Sequence, residues 1–552
     1  MPTHYIYMSF RGFLIKGLLA FFLLSTLSCK NEAANNKTEP IHETTTPKHV
    51  VMGTSDLIEK ILIEKDSTLF FEKDSLQSFY KLRENKPAWE NSSVRNSFLD
   101  TLKNSELQGF FFKDYHEEEI TTLSENLENL SSEELSNLDI LLTDSFLKFG
   151  KQLWLGKTNP KKIHEIWDLK RKGVSITQLL QQAIIENDLE VVLKELRPKN
   201  PIYHQLINAA KEERKRIAAN VSTFEKIPSG KMIKPDHSDL RIPAINNRLY
   251  QLGYLKVRDT SKINSETTQQ AIKDLQQEHG LMIDGIIGDA TIATLNMTPN
   301  DWYDVIQANL ERWRWYPRDL GENYILINVA NFKLELILNG KLKEEHKVVV
   351  GSPARETPVF EDEIENIVLN PSWYIPPTIK SKDVIPGARK NSNYISKKHL
   401  IVFSRNGEKL DPSTINWNSK EVYTYQFKQD PGSANPLGQV KINFPNKHLI
   451  YLHDTNSKAL FENNSRSHSS GCVRVEGAVK LAKLLVSDQK AYNSDKIDEL
   501  LESGKTRYIN LSKPLKIYIF YWTAWQENGK THFTQDIYNN DQAILKALKA
   551  TP

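Results

Sequence analysis

The spacing of apolar residues changes once along this chain, and the change divides it. Leu57, Ile61 and Leu62 recur at helical spacing, as do Leu138, Leu141, Leu142, Ser145 and Phe149. Beyond Asn323 the period becomes two. Residues 324–329 and 332–338 read as strands, and Asn339-Gly340 reads as a hairpin turn at the end of the second. Residues 347–350, 367–369, 440–444 and 449–453 add further strands. A helical front half therefore precedes a mainly antiparallel β domain, and the fold class is α+β multidomain.

At roughly 100–200 residues per domain, 552 residues allow three or four domains. Residues 1–29 read as an export signal: Arg11 and Lys16 precede an apolar stretch, 17–27, too short to span a bilayer. The stretch ends in Ser28-Cys29, which resembles a lipoprotein signal, with Thr26 where leucine is usual. Cys29 is therefore expected to carry a lipid anchor, on the periplasmic side of the cell envelope. Residues 30–54 are polar and read as a flexible tether. A helical scaffold is expected over 55–235. A compact three-helix unit comes next, over 236–300: Ile242, Ile245, Leu249 and Leu252 form one face closed by Gly253, and a second helix spans 267–279. The β domain occupies 301–512. Its segment 374–435 is long for a loop and carries its own apolar residues (Ile385, Tyr394, Leu400, Ile401, Val402), so it is expected to be an inserted lid. Residues 513–552 are expected to form a strand and helix packed on the scaffold.

Charged residues make up 26% and hydrophobic ones 39%, as in soluble globular domains. A net charge of +3 lacks the footprint of a nucleic-acid binder, and no cofactor or metal is expected. The two cysteines are Cys29 and Cys472. With Cys29 in the targeting segment, Cys472 stands alone in the folded part, and a lone thiol in an oxidising compartment must be either buried or used.

The residues around Cys472 suggest use. In a strand over 449–453, Leu449, Tyr451 and His453 point the same way, placing a phenol and an imidazole one pleat apart. After a polar loop comes Ser469-Ser470-Gly471-Cys472, whose small side chains admit a substrate backbone. Arg474 lies two residues on, and an amphipathic helix is expected over about 476–486. A thiol of unperturbed pKa about 8.5 needs a base at neutral pH. His448, His453 and His468 are available, and geometry alone does not choose among them.

Several segments carry a resemblance that does choose. His453 and Ser-Ser-Gly-Cys-Val-Arg ending at Arg474 resemble the catalytic signature of the L,D-transpeptidase (YkuD-type) family. So do Gly351-Ser352-Pro353 with Thr357-Pro358, Asn370-Pro371-Ser372-Trp373 with Pro376-Pro377, and Asp430-Pro431-Gly432 with Asn435, Leu437 and Gly438. Residues 249–296 resemble the peptidoglycan-binding module of wall enzymes, and the order of segments resembles the large subgroup with that module embedded. Many members have histidine where Ser470 stands, which argues against a catalytic role for His468. The resemblance implies that His453 is the base and that Cys472 is acylated by a peptidoglycan tetrapeptide, releasing D-Ala before transfer to an amine of a second stem. Gly471, Cys472 and the Tyr451 hydroxyl are the expected oxyanion donors. Asp454 would orient His453 through its carbonyl or side chain. Arg474, with Ser469, Ser470 and Trp373, would bind substrate. Stem peptides and glycan are the implied partners, and carbapenem-type inhibitors are expected to acylate Cys472. The alternatives are an L,D-carboxypeptidase using the same acyl-enzyme, or a non-catalytic wall-binding lipoprotein. A papain-like protease would need the cysteine first and the histidine downstream; here the order is reversed.

Overall fold

The computed structural model describes residues 53–550 except 66, 171–172, 220–223 and 528. The export segment and Cys29 lie outside the described residues. The scaffold is built round the helix Ser132–Leu155, which starts at a capping box between Ser131 and Glu134 and is buried along most of its length. Its Asp139 is a buried carboxylate that accepts the Ala88 and Trp89 N–H groups and the Tyr80 hydroxyl, at 2.6–2.9 Å. The Tyr80–Trp89 stretch, which suggests no chemistry in sequence, thus folds over this helix as structural core.

The three-helix unit comprises Ile242–Gln251, Glu266–Glu278 and Asp289–Leu295, closed round its own apolar core. Gln276 fixes the turn between the last two helices by accepting the amides of Asp284 and Gly285. The helix Pro299–Trp315 then packs on the scaffold helix Pro201–Ala218 and leads into the β domain. Buried Arg314 on it pairs with Glu311, and Arg312 pairs with Asp541 near the far end of the chain.

Among the described residues the main sheet has ten strands; two are short additions, Trp167–Asp168 and Ser467–Ser469, and eight form the β domain's ring: β1 (Tyr324–Asn328), β2 (Lys333–Leu338), β3 (Lys341–Gly351), β4 (Val359–Leu369), β5 (Val440–Asn443), β6 (Leu452–His453), β7 (Val473–Val475) and β8 (Arg507–Phe520). They pair in the order β4-β5-β6-β7-β3-β2-β1-β8, and β8 pairs back to β4, so the sheet closes into a barrel. Most pairings are antiparallel; β6 with β7 and β1 with β8 are parallel. Val440, Ile442, Leu452, Val473 and Val475 point into the barrel core, so the alternate residues of β5, β6 and β7 lie on its outer face.

Two expectations are corrected. The C-terminal strand does not lie on the scaffold: β8 is integral to the barrel, where its apolar residues are needed to fill the core, and only the next hairpin strand, Ala524–Glu527, packs against the scaffold helix Pro201–Ala218. The expected strand over 449–453 is shorter: only Leu452 and His453 pair as strand, Tyr451 directly precedes them, and Leu449 sits in a left-handed turn with φ 57° and is 58% exposed. The helix expected after Cys472 over about 476–486 is present as Ala478–Leu485, behind a left-handed Gly477.

The inserted segment forms a small subdomain. Trp373–Tyr374, Gln426–Gln429, Ile401–Phe403 and Lys409–Leu410 pair in that order as an antiparallel sheet. A helical run from Pro377 to Lys390, with a π-helical turn at Lys380–Val384, packs on it. Val384, Ala388, Ile395, Leu400, Val402 and Phe427 give this unit its own core.

Candidate active site

Strand register assembles the site. Antiparallel pairing of β5 with β6 sets Lys441 opposite His453, and parallel pairing of β6 with β7 sets His453 opposite Arg474. One step back along the same strands, the Val473 amide bonds to the Tyr451 carbonyl at 3.2 Å, which brings Cys472 beside Tyr451. Paired and alternate residues share a face, so Lys441, Tyr451, His453, Cys472 and Arg474 all lie on the outer surface of the barrel. The Tyr451 and His453 ring centroids are 5.6 Å apart.

His453 is 5% exposed. Its Nδ1 lies 2.5 Å from the Asp454 carbonyl oxygen, an acceptor, so Nδ1 carries the proton and Nε2 keeps a lone pair. Burial, then the Arg474 charge, pushes the imidazole pKa down to about 3, so the ring is neutral at physiological pH. The Asp454 carboxylate takes no part in orienting the ring: it is held by the Gln439 amide and by Lys458. Gly438 makes room for it, since a Cβ there would collide with Asp454 Oδ2, and Gly438 is in the left-handed region at φ 60°.

Burial also raises the Cys472 thiol, opposed by hydrogen bonds from the Tyr451 amide and hydroxyl and by the charges of Lys441 and Arg474. The thiol points at the Leu449 carbonyl, 3.7 Å away. The Tyr451 phenol is pushed up by burial and by the neighbouring Cys472, and the Trp373 side chain opposes that shift. Trp373 belongs to the inserted subdomain, so that subdomain reaches the phenol next to the nucleophile.

The loop carrying Cys472 is fixed from within. Ser469 Oγ accepts the Gly471 amide at 3.0 Å and donates to the Cys472 carbonyl at 2.6 Å. The expected roles of Ser469 in substrate binding and of Gly471 as an oxyanion donor are therefore not supported, because both groups are already bonded inside the loop. The Cys472 amide has no such partner among the described residues and stays available. Thr357 donates to the Gly471 carbonyl at 2.8 Å and accepts the Gly351 amide at 2.9 Å, locking the loop to β3. Tyr538 donates to the Gly351 carbonyl at 2.7 Å. Ser470 is exposed and accepts from Arg355 at 2.9 Å. The same guanidinium makes a two-pronged pair with Asp383 of the inserted subdomain, at 2.7 and 2.9 Å.

The other histidines lie elsewhere. His468 is exposed on the edge strand Ser467–Ser469. His448 faces Phe360 and Asp168. Arg474 makes no ion pair among the described residues, and its Nε is buried without a hydrogen-bond partner. Sequence reasoning missed Lys441. Its strand was legible, but its place beside His453 depends on a long-range register.

Three stretches of the chain match known families. Residues 322–492 match the L,D-transpeptidase catalytic domain family (YkuD), residues 238–295 a peptidoglycan-binding domain family, and residues 74–209 a family described as a scaffold domain. A Haemophilus influenzae protein named for L,D-transpeptidase activity is 34% identical over 240 residues, 43% of this chain and 48% of its own length. The chain thus spans about half of that relative. An L,D-transpeptidase structure from Stackebrandtia nassauensis is 14% identical, covering 56% of this chain and all of its own, with a TM-score of 0.20. One from Enterococcus faecium is 10% identical, covering 55% of this chain and all of its own, with a TM-score of 0.18. Scores this low carry no argument.

Proposed function

Because residues 322–492 carry a YkuD-type L,D-transpeptidase catalytic domain, we propose that this protein is a peptidoglycan L,D-transpeptidase acting through Cys472. The observation that carries the proposal is the shared outer face of β6 and β7. There the register sets the half-buried Cys472 beside Tyr451, two residues before His453, a neutral imidazole whose free nitrogen is Nε2.

His453 Nε2 takes the Cys472 proton as sulfur attacks the carbonyl of the position-3 diaminoacid of a tetrapeptide stem. The C–S bond forms and the carbonyl oxygen becomes an oxyanion, met by the free Cys472 amide and the Tyr451 hydroxyl. Collapse breaks the C–N bond; the departing D-Ala nitrogen receives the proton from His453. The amine of a second stem then attacks the thioester and loses its proton to His453. The C–S bond breaks, and the sulfur recovers that proton. Because burial disfavours both charged forms, the pair rests as thiol and imidazole, and proton transfer accompanies attack. Arg474, an unpaired cation on this face, supports binding of an acidic substrate. Trp373 and the Arg355–Asp383 pair support a lid role for the inserted subdomain. The peptidoglycan-binding domain supports a place in the wall compartment, with Cys29 as the proposed lipid anchor.

The test is incubation with muropeptide tetrapeptides, comparing the protein with Cys472→Ala. Cross-linked dimers that vanish in the variant are expected. Tripeptide without dimers would assign an L,D-carboxypeptidase instead, and identical products from both proteins would remove Cys472 from the chemistry.

A further inference from the structure

The ladder across the site reads Lys441, His453, Arg474 on three successive strands. The imidazole is therefore flanked on both sides by a cation. Arg474 is the expected carboxylate-binding residue; Lys441 has no role in the mechanism above. Its ammonium lies 4.1 Å from the centroid of the Tyr451 ring, and strand pairing brings the Cys472 nucleophile beside that same tyrosine. On its other side the opposing residue of β4 is Val368, which is apolar. Lys441 has no acidic partner among the described residues, and it is only part-exposed. Burial lowers its pKa, and only the Cys472 sulfur opposes that shift.

An ammonium withdrawn from water without a counter-charge destabilises a fold. Two such cations flanking one base show that the outer face is built for an anion that arrives with the substrate. In the reaction proposed above, that anion is near at hand. The leaving residue of the donor carries a free carboxylate on the carbon bonded to the scissile nitrogen, on the side away from the thioester.

We propose that Lys441 is a specificity-determining residue that receives the terminal carboxylate of the donor peptide, with Arg474 completing the anion pocket. This rests on the transpeptidase reading for the identity of the anion, although the pocket itself does not. Lys441 distinguishes a donor that ends at the leaving residue from one that continues or is amidated there.

Two measurements test it separately. The first needs no peptide: Cys472 is alkylated with iodoacetate, an anion, and with iodoacetamide, its neutral counterpart, at one pH. Lys441→Met keeps an unbranched apolar stem against Tyr451 and removes the charge. It is expected to lower the iodoacetate-to-iodoacetamide rate ratio by roughly fivefold, and Lys441→Arg is expected to restore it. An unchanged ratio in Lys441→Met overturns the proposal, even if both rates shift together. The second compares tetrapeptide donors with a free or an amidated C-terminus. Lys441→Met is expected to lose about 10- to 100-fold in kcat/KM on the free acid, mostly through KM, and little on the amide. Equal losses on both donors overturn the carboxylate assignment. If the alkylation ratio falls while the wild-type protein turns over neither donor, the anion pocket stands and the transpeptidase reading fails.

Discussion

Replacing Thr357 by valine keeps the shape of the side chain and removes one hydroxyl. That hydroxyl has two partners, the Gly471 carbonyl at 2.8 Å and the Gly351 amide at 2.9 Å. Thr357 is 2% exposed, and both partners belong to buried residues, so water cannot readily replace it. Each orphaned buried group costs about 1–3 kcal/mol. With some relaxation of the loop, the pair should cost about 2–4 kcal/mol. For a unit the size of the barrel domain this lowers the melting temperature by roughly 5–15 °C. Thr357→Ser retains the hydroxyl and should recover most of the loss. The assay is thermal unfolding followed by near-ultraviolet circular dichroism, since the core shared by the barrel and the helices packed on it holds several tryptophans and tyrosines. The Cys472 alkylation rate, followed in the same samples below the transition, should change in Thr357→Val because the loop that aims the thiol has lost its tie to β3. A valine variant that melts within about a degree of wild type would refute the reasoning, since it would show that the two groups find other partners.

Two further outcomes are expected. The Arg355–Asp383 pair joins the Cys472 loop to the inserted subdomain while both side chains remain part-exposed. Asp383→Asn should therefore cost at most about 1 kcal/mol of stability yet slow turnover several-fold; unchanged turnover would remove the clamp role. Glu356, beside the same loop, has its carboxyl raised to about 7, first by burial and then by Glu165 and Asp536. Between the ordinary carboxylate value and about 7 the folded state holds a proton that the unfolded state has released. Stability from this group therefore falls as pH rises through that window. Denaturation midpoints compared at about pH 5 and about pH 8 should differ less for Glu356→Gln than for wild type; an equal difference would assign the pH dependence to other groups.

What the sequence revealed, and what it withheld, reflects the range of the interactions. The change in apolar period located the helical and β halves, because periodicity is set by neighbours three or two residues apart. The three helices of the middle unit were legible for the same reason, and so was the alternation that aims Tyr451 and His453 together. Leu449 misled because a strand pattern does not reveal a left-handed turn at its first residue. The place of residues 507–520 was illegible, since an apolar strand near the C-terminus fits a barrel or an edge equally well until its partners are known. In the site, Gly471 and Ser469 looked like free donors in a string of small residues. Only the folded loop shows that they bond to each other. Lys441 lay hidden because its meaning depends on which residue faces it across β5 and β6, and those strands are separated by a turn whose register the pattern leaves open. Thr357 reaches the Cys472 loop, and Tyr538 braces Thr357 and Gly351, from distant parts of the chain, and no local pattern announces contacts of that length.

The closing of the barrel by β8 has a consequence for how the protein comes into being. β8 lies between β1 and β4, so on the ribosome a chain that has already produced Cys472 still lacks the strand that completes the ring. Pairing β8 with β1 bridges nearly two hundred residues, a long-range closure that is slow to form. The nascent protein thus carries its nucleophile for a time without the finished wall behind it. A truncation before Arg507 removes β8 and leaves two unsatisfied strand edges, which are templates for aggregation. The order of the chain therefore makes assembly of the reactive surface a late event of synthesis.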